Sequence, residues 1–306
     1  MVAALVDREP ARSVSVAAGQ DCLVGRFDAM ASPCEILIES DDRDEAARLT
    51  RIAADEAWRI EDKFSRYRPG NIVARINASR AAAVEVDEET AALLDFAATL
   101  HALSDGRFDI TSGALREVWT FDGGDGLPDP QAVRNVLLRV GWEKATWRRP
   151  FFTVQAGMQI DLGGIGKEYA VDRVAGMLRD AAICSTVVNF GGDLAVTRAP
   201  RERRAWRVGI EPVYAHEGRG DTVLEIQTGA LATSGDARRY LVKDGIRYSH
   251  ILDPRNGWPV EGAPRSVTVA ADTCTQAGML STLAMLEGYN AEAFLDGEGV
   301  KYWCRR

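Results

Sequence analysis

The segment Tyr248-Ser249-His250-Ile251-Leu252-Asp253-Pro254-Arg255-Asn256-Gly257 carries the most pointed chemistry in the chain. Histidine titrates near neutral pH and is the common general base. Here it stands three residues before an aspartate, ahead of a Pro-Arg-Asn-Gly turn. A core histidine bonded to backbone is the plainer alternative, and spacing alone leaves both open. The second candidate is Asp161-Leu162-Gly163-Gly164-Ile165-Gly166-Lys167-Glu168. It is no P-loop, because Asp161 stands where the first glycine belongs and Glu168 follows the lysine where Ser or Thr belongs. It also lacks the third glycine of a dinucleotide fingerprint. What remains is a glycine turn opening a helix, which lets backbone approach a ligand and offers free N–H groups to an anion. A tight structural turn explains it equally well. Asn189-Phe190-Gly191-Gly192-Asp193 and Ala232-Thr233-Ser234-Gly235-Asp236 read alone as turns, although the hydroxyls of the second suit phosphate oxygens.

Composition narrows the chemistry. The 306 residues are 46% hydrophobic and 27% charged, the balance of a folded globular protein. Thirty-seven Lys and Arg against 45 Asp and Glu give a net charge of −8, which argues against a phosphate-gripping nucleic-acid protein. The three histidines are His101, His216 and His250, and the five cysteines (Cys22, Cys34, Cys184, Cys274, Cys304) form no CxxC pair. A structural zinc site is therefore not expected, and any metal should be held by oxygen. The apolar run Val2 to Val6 is broken by Asp7, Arg8 and Glu9, too early for a signal peptide or a membrane span. With unpaired cysteines, this leads to the expectation of a cytoplasmic protein without membrane insertion.

These residues need elements to position them. Residues 1–20 carry little pattern and are expected to form a loose arm, with a single domain over 21–306. Cys34 to Glu39 alternates like a half-buried strand. Arg43 to Phe64 repeats Leu49, Ala53, Ala57, Ile60 and Phe64 at helical spacing, and a second helix runs from about Asp87 to Ser104, ended by Gly106. A short helix is expected from Pro130 to Val140, a hairpin over Phe151 to Ile160, and a helix after the glycine turn to about Asp180. Strands are expected at Ser185 to Phe190, Trp206 to Ile210, Thr222 to Ile226 and Ser266 to Ala270, and a last helix at Thr275 to Leu286. Helices and strands alternate without a βαβ period, so the fold class is α+β, with mixed or antiparallel sheets flanked by helices.

Taken together and in order, these segments resemble the ApbE family of FAD:protein FMN transferases. Met30-Ala31-Ser32-Pro33-Cys34 is similar to the family's early MGT segment, and Phe64-Ser65-Arg66-Tyr67-Arg68-Pro69 with Ile76-Asn77 to its FSRYRP…LN stretch. Ser104-Asp105-Gly106-Arg107-Phe108-Asp109-Ile110-Thr111 resembles SDGAFDIT, and DLGGIGKEYAVD at 161–172 resembles DLGGIAKGYAVD. NFGGD, ATSGD and SHILDPRNG complete the series. The resemblance implies that FMN passes from FAD to a Thr or Ser hydroxyl of a partner protein with release of AMP, assisted by Mg²⁺. It implies that Met30, Tyr67, Arg107, Phe108 and Asp109 line the flavin nucleotide, and that Asp161, Lys167 and Ile251 contact it. The carbonyl of Gly164 matches a metal ligand. His250 matches the histidine that deprotonates the acceptor, with Asp253 orienting it or fixing the turn. Asp109-Ile110-Thr111 superficially resembles an acceptor site, but lies in a segment assigned to FAD binding.

The chain departs from the family at two positions. The family's metal signature ADALAT reads Ala277-Gly278-Met279-Leu280-Ser281-Thr282, so Gly278 replaces a ligand aspartate, Thr282 keeps its hydroxyl, and Ser281 stands where some relatives carry a second carboxylate. Glu168 stands where the family has glycine. The metal is then held through FAD phosphates and water, or by another carboxylate such as Asp272, or is lost. A working transferase with an altered metal site and a flavin-binding relative without transfer both stay open, and slow FAD hydrolysis is the first with water as acceptor.

Overall fold

The computed structural model describes residues 12–201, 204–210, 222–237 and 239–306. His216 and residues 1–11 lie outside them. Among the described residues eight strands form the main sheet: β1 Ser15–Ala18, β2 Leu23–Ala29, β3 Ser32–Ile38, β4 Thr186–Phe190, β5 Asp193–Val196, β6 Gly229–Gly235, β7 Ser266–Ala271 and β8 Lys301–Arg305. They lie in chain order across the sheet, each antiparallel to the next. The α+β expectation holds. β3 alternates as its sequence requires, with Cys34, Ile36 and Ile38 turned inward. The β2–β3 turn runs through Met30 and Ala31 at φ 52° and 54°, the left-handed pair of a two-residue hairpin turn.

Helices cover one face. α1 (Arg43–Phe64) is capped by Asp42, whose carboxylate accepts from the amides of Asp44 and Glu45. It packs on β2 closely enough that a Cβ at Gly25 would sit 1.9 Å from Thr50 Oγ1. α2 (Ile72–Asn77) follows. α3 (Glu88–Leu103) ends where Gly106, at φ 75°, returns its amide to the His101 carbonyl. α4 (Pro130–Leu137) is short. α5 (Gly166–Ala181) lies between α1 and α6 (Cys274–Leu286), and α6 packs on β6, β7 and α7 (Ala291–Glu298). The carboxylate of Asp172 on α5 accepts from the amides of Cys274 and Thr275, both at 2.8 Å, and so ties the start of α6 to α5.

The opposite sheet face buries Val187, Leu194, Val196 and Leu231 against Trp206 and a hairpin of Trp206–Gly209 and Val223–Ile226. A smaller apolar cluster of Leu115, Trp119, Val136, Val140 and Leu241 joins α4 to the Tyr240–Lys243/Ile246–Ser249 hairpin and to the turn after His250.

Four expectations need correction. Residues 15–18 are not part of a loose arm: they pair along the free edge of β2, a match between backbones that four small residues do not advertise. The hairpin expected over 151–160 lies earlier, between Thr146–Arg148 and Phe151–Thr153, with Pro150 in its turn, because a proline cannot donate to a ladder. The Pro130 helix stops at Leu137 instead of Val140. The ATSGD run is mostly the end of β6 rather than a turn.

Candidate functional site

Asp161 organises the glycine turn. Its amide donates to the Ile110 carbonyl at 2.8 Å and its Oδ1 accepts from the Gly163 amide at 2.8 Å. Its Oδ2 stands 3.4 Å from both Arg66 Nη1 and Arg116 Nε. Arg66 is fixed further by Gly113 O at 2.8 Å and Gln159 Oε1 at 2.6 Å. Arg116 donates to the Tyr67 hydroxyl at 2.6 Å, and both guanidinium groups lie about 6 Å from the Tyr67 ring centroid. Tyr67 is 73% exposed. An exposed aromatic face between two cations suits a planar ring carrying phosphates.

α5 begins immediately after this turn, and Ile165 at its N-cap makes no side-chain cap bond. The Leu162 carbonyl takes the Ile165 and Gly166 amides at 3.0 and 2.8 Å, so the start of α5 offers an anion the positive end of the helix dipole. Lys167 Nζ meets the buried Asp193 Oδ2 at 2.7 Å. Burial works against the lysine charge, but Asp193 outweighs it and the pKa is raised. Asp193 Oδ1 also accepts from the Thr233 amide at 3.0 Å. The Met30 hairpin closes on the same region: Met30 N donates to Glu61 Oε1 at 3.0 Å, and a Cβ on Gly191 would lie 2.9 Å from Ser32 Oγ.

Glu168, next along α5, projects onto Gly278 of α6. Burial, reinforced by Asp193, pushes its carboxyl up to about 8, with Lys167 opposing. Beyond Gly278 the same α6 face carries Ser281 and Thr282. Ser234 Oγ, from β6, lies 2.9 Å from each of their hydroxyls. Asp272 is exposed in the β7–α6 turn.

The Arg107-Phe108-Asp109 segment splits into three roles. Arg107 pairs with Glu287 at 2.7 Å. Phe108 is buried against Gly164, where a Cβ would come 3.2 Å from the ring, a tight approach that would ask the ring to give by a few tenths of an ångström. Asp109 is a bracket: its oxygens accept from the Thr111 and Trp142 amides at 2.7 and 2.8 Å, and His101 Nε2 is 3.7 Å away. Thr111 is fully buried with its hydroxyl accepting from Gly141, which does not suit a flavin acceptor. One side of this segment opens on a cleft of about 370 Å³ lined by His101, Asp105, Asp109, Glu143 and Arg255.

His250 Nδ1 lies 3.1 Å from the Arg239 carbonyl, which fixes the Nδ1–H tautomer and leaves Nε2 as the proton acceptor. Burial lowers its pKa below the ordinary value. Asp253 does not orient it. Both Asp253 oxygens take the Arg255 guanidinium, at 2.6–3.2 Å, and the Asp253 carbonyl closes the turn by accepting from Gly257 N at 2.7 Å. Burial raises the Asp253 pKa, and the Arg255 bonds more than reverse this. Asp253 thus fixes the turn. Ile251, half-buried, packs on the main core while its carbonyl accepts from Val260.

Sequence reasoning passed over Arg66, Arg116, Asp193 and Ser234 as individual site members. Each lay inside a quoted motif or beside one, but its role depends on a partner far away in the chain.

Among the described residues no helix is long and apolar enough to cross a membrane. The ApbE family model matches residues 30–303. FAD:protein FMN transferases of Treponema pallidum and Vibrio cholerae are 31% and 30% identical, over 76% and 75% of this chain and 69% and 70% of theirs. The ApbE protein of Thermotoga maritima superposes with a TM-score of 0.82 at 30% identity, covering 92% of this chain and 93% of its own. The apo flavinyl transferase ApbE of Pseudomonas stutzeri gives 0.79 at 26%, covering 95% and 90%. The fold is that of the ApbE flavin transferases. The chain belongs to the ApbE family.

Proposed function

We propose that this chain is an FAD:protein FMN transferase, moving FMN from FAD to a Thr or Ser hydroxyl of a partner protein in the cytoplasm. The observation that carries the proposal is the junction of the exposed Tyr67 face, flanked by Arg66 and Arg116, with the uncapped start of α5. A flavin nucleotide needs both a ring platform and a seat for its pyrophosphate.

His250 Nε2 takes the proton of the acceptor hydroxyl as its oxygen attacks the FMN phosphorus. The bond from that phosphorus to the bridging oxygen breaks, and AMP leaves with that oxygen. Positioning and charge neutralisation supply the catalysis. Arg66 and Arg116 draw the pyrophosphate electrostatically, together with the positive end of the α5 dipole.

The donors fit a hard divalent cation such as Mg²⁺. Ser234, Ser281 and Thr282 offer hydroxyl oxygens, Gly164 a carbonyl, and the buried Glu168 Oε2 has no hydrogen-bond partner among the described residues. When bound, the cation would offset phosphate charge.

AMP release tests the reaction. FAD with Mg²⁺ should yield AMP only slowly alone and faster with an acceptor peptide carrying Asp before Thr. FAD binding with no AMP under either condition would favour the alternative, a flavin-binding relative, to which Gly278 points.

A further inference from the structure

Gly278 leaves α6 without the carboxylate that the resemblance places there, and the structure shows what fills the space. A Cβ on Gly278 would lie 2.4 Å from Glu168 Cγ and 3.0 Å from both its Cδ and Oε1. Glu168 therefore occupies, from α5, the volume that a side chain at 278 would otherwise take. Its Oε2 is sealed from solvent and has no hydrogen-bond partner among the described residues. The adjacent lysine is committed elsewhere, since Lys167 Nζ pairs with Asp193 at 2.7 Å. One turn along α6 from Gly278 stand hydroxyl oxygens: Ser281 Oγ donates to Gly278 O at 3.0 Å, and Ser234 joins Ser281 to Thr282.

A buried carboxylate oxygen without a donor is costly unless a proton or a cation completes it. A hard cation is one such completion, and carboxylate and hydroxyl oxygens are the ligands such ions take.

We propose that Glu168 is the carboxylate ligand of the divalent cation in this chain. The acidic ligand comes from the first turn of α5 instead of from α6, and Gly278 is the space that its side chain requires. The two departures from the family pattern are then one exchange. This rests on the transferase reading for the presence of a cation.

Mn²⁺ binding tests the proposal without recourse to catalysis. Free Mn²⁺ is followed by electron paramagnetic resonance, with and without FAD, and FAD affinity is measured separately by flavin fluorescence in metal-free buffer. Glu168→Gln, nearly isosteric, should weaken Mn²⁺ by about tenfold or more while leaving metal-free FAD binding unchanged. Glu168→Asp should retain part of the affinity. Gly278→Asp alone should melt lower and gain no Mn²⁺ affinity, because its side chain collides with Glu168. Glu168→Gly with Gly278→Asp should recover Mn²⁺ binding. Unchanged Mn²⁺ affinity in Glu168→Gln, or a gain in Gly278→Asp alone, overturns the proposal. So does a wild-type protein that binds FAD but no Mn²⁺, which leaves the flavin reading intact. If FAD fails to bind, the transferase reading falls, and the Mn²⁺ titrations without FAD still decide the role of Glu168.

Discussion

Lys167 and Asp193 join the start of α5 to the β4–β5 turn, and removing one partner should cost far more than removing both. Asp193 is 2% exposed, 2.7 Å from Lys167 Nζ, and otherwise holds only the Thr233 amide among its described bonds. Lys167→Met leaves that carboxylate buried near Glu168. Breaking a buried pair costs about 3–5 kcal/mol. The Lys167 side chain keeps about a quarter of its exposure, so water relieves part of this, and a loss of about 2–4 kcal/mol is expected. For a chain of 306 residues that is a fall in Tm of roughly 3–6 °C. Lys167→Met with Asp193→Asn removes both charges and should recover at least half of the loss. Thermal melts at pH 7 of the wild type, both single variants and the double variant form the cycle. A loss below about 1 kcal/mol for Lys167→Met, or a double variant equal to the sum of the singles, would refute the claim that the pair is a coupled, desolvated unit. In that case Lys167 is free to reach phosphate on its own.

Other outcomes follow from the same geometry. Tyr67→Ala should weaken FAD by about 2- to 10-fold, the worth of one aromatic stack, with little change in the rate at saturating FAD; a loss confined to the rate would place the ring elsewhere. His250 is needed neutral and its pKa is lowered, so the transfer rate should climb with pH along a limb centred below 6.5 and level off by pH 7. A limb centred above 7, or one that persists in His250→Ala, contradicts the assignment. Glu89 is held down to about 2 by Arg59, against burial, with help from Lys63 and Tyr169. Its contribution to stability is complete above the unfolded carboxyl value and is lost as pH falls through about 2. Glu89→Gln should therefore lower Tm at pH 7 and lose that difference in acid; an equal difference at both pH values would count against it.

Much of the scaffold was legible in sequence because its signals are local. Arg43–Phe64 carries a cap, an apolar stripe and an end within one segment, and Gly106 marks the end of α3. β5 and β6 escaped because Asp193–Val196 is buried on both faces and Gly229–Gly235 is built of small residues, so neither alternates. The site followed the same divide. Tyr67, Asp161, Lys167 and His250 could be picked out from motifs. That Asp253 serves Arg255, that Asp109 is a bracket, and that Glu168 fills the space over Gly278 are facts of pairing between distant segments. No local pattern encodes them.

The central claim is that this chain joins FMN to a protein hydroxyl. The direct measurement is mass spectrometry of a Thr-bearing acceptor peptide after incubation with the chain, FAD and Mg²⁺, beside His250→Ala. The account predicts a peptide heavier by one FMN, linked through the threonine, with AMP in equal amount, and no such product from His250→Ala although it still binds FAD. An unmodified peptide at saturating FAD and metal, or equal modification by His250→Ala, would contradict it.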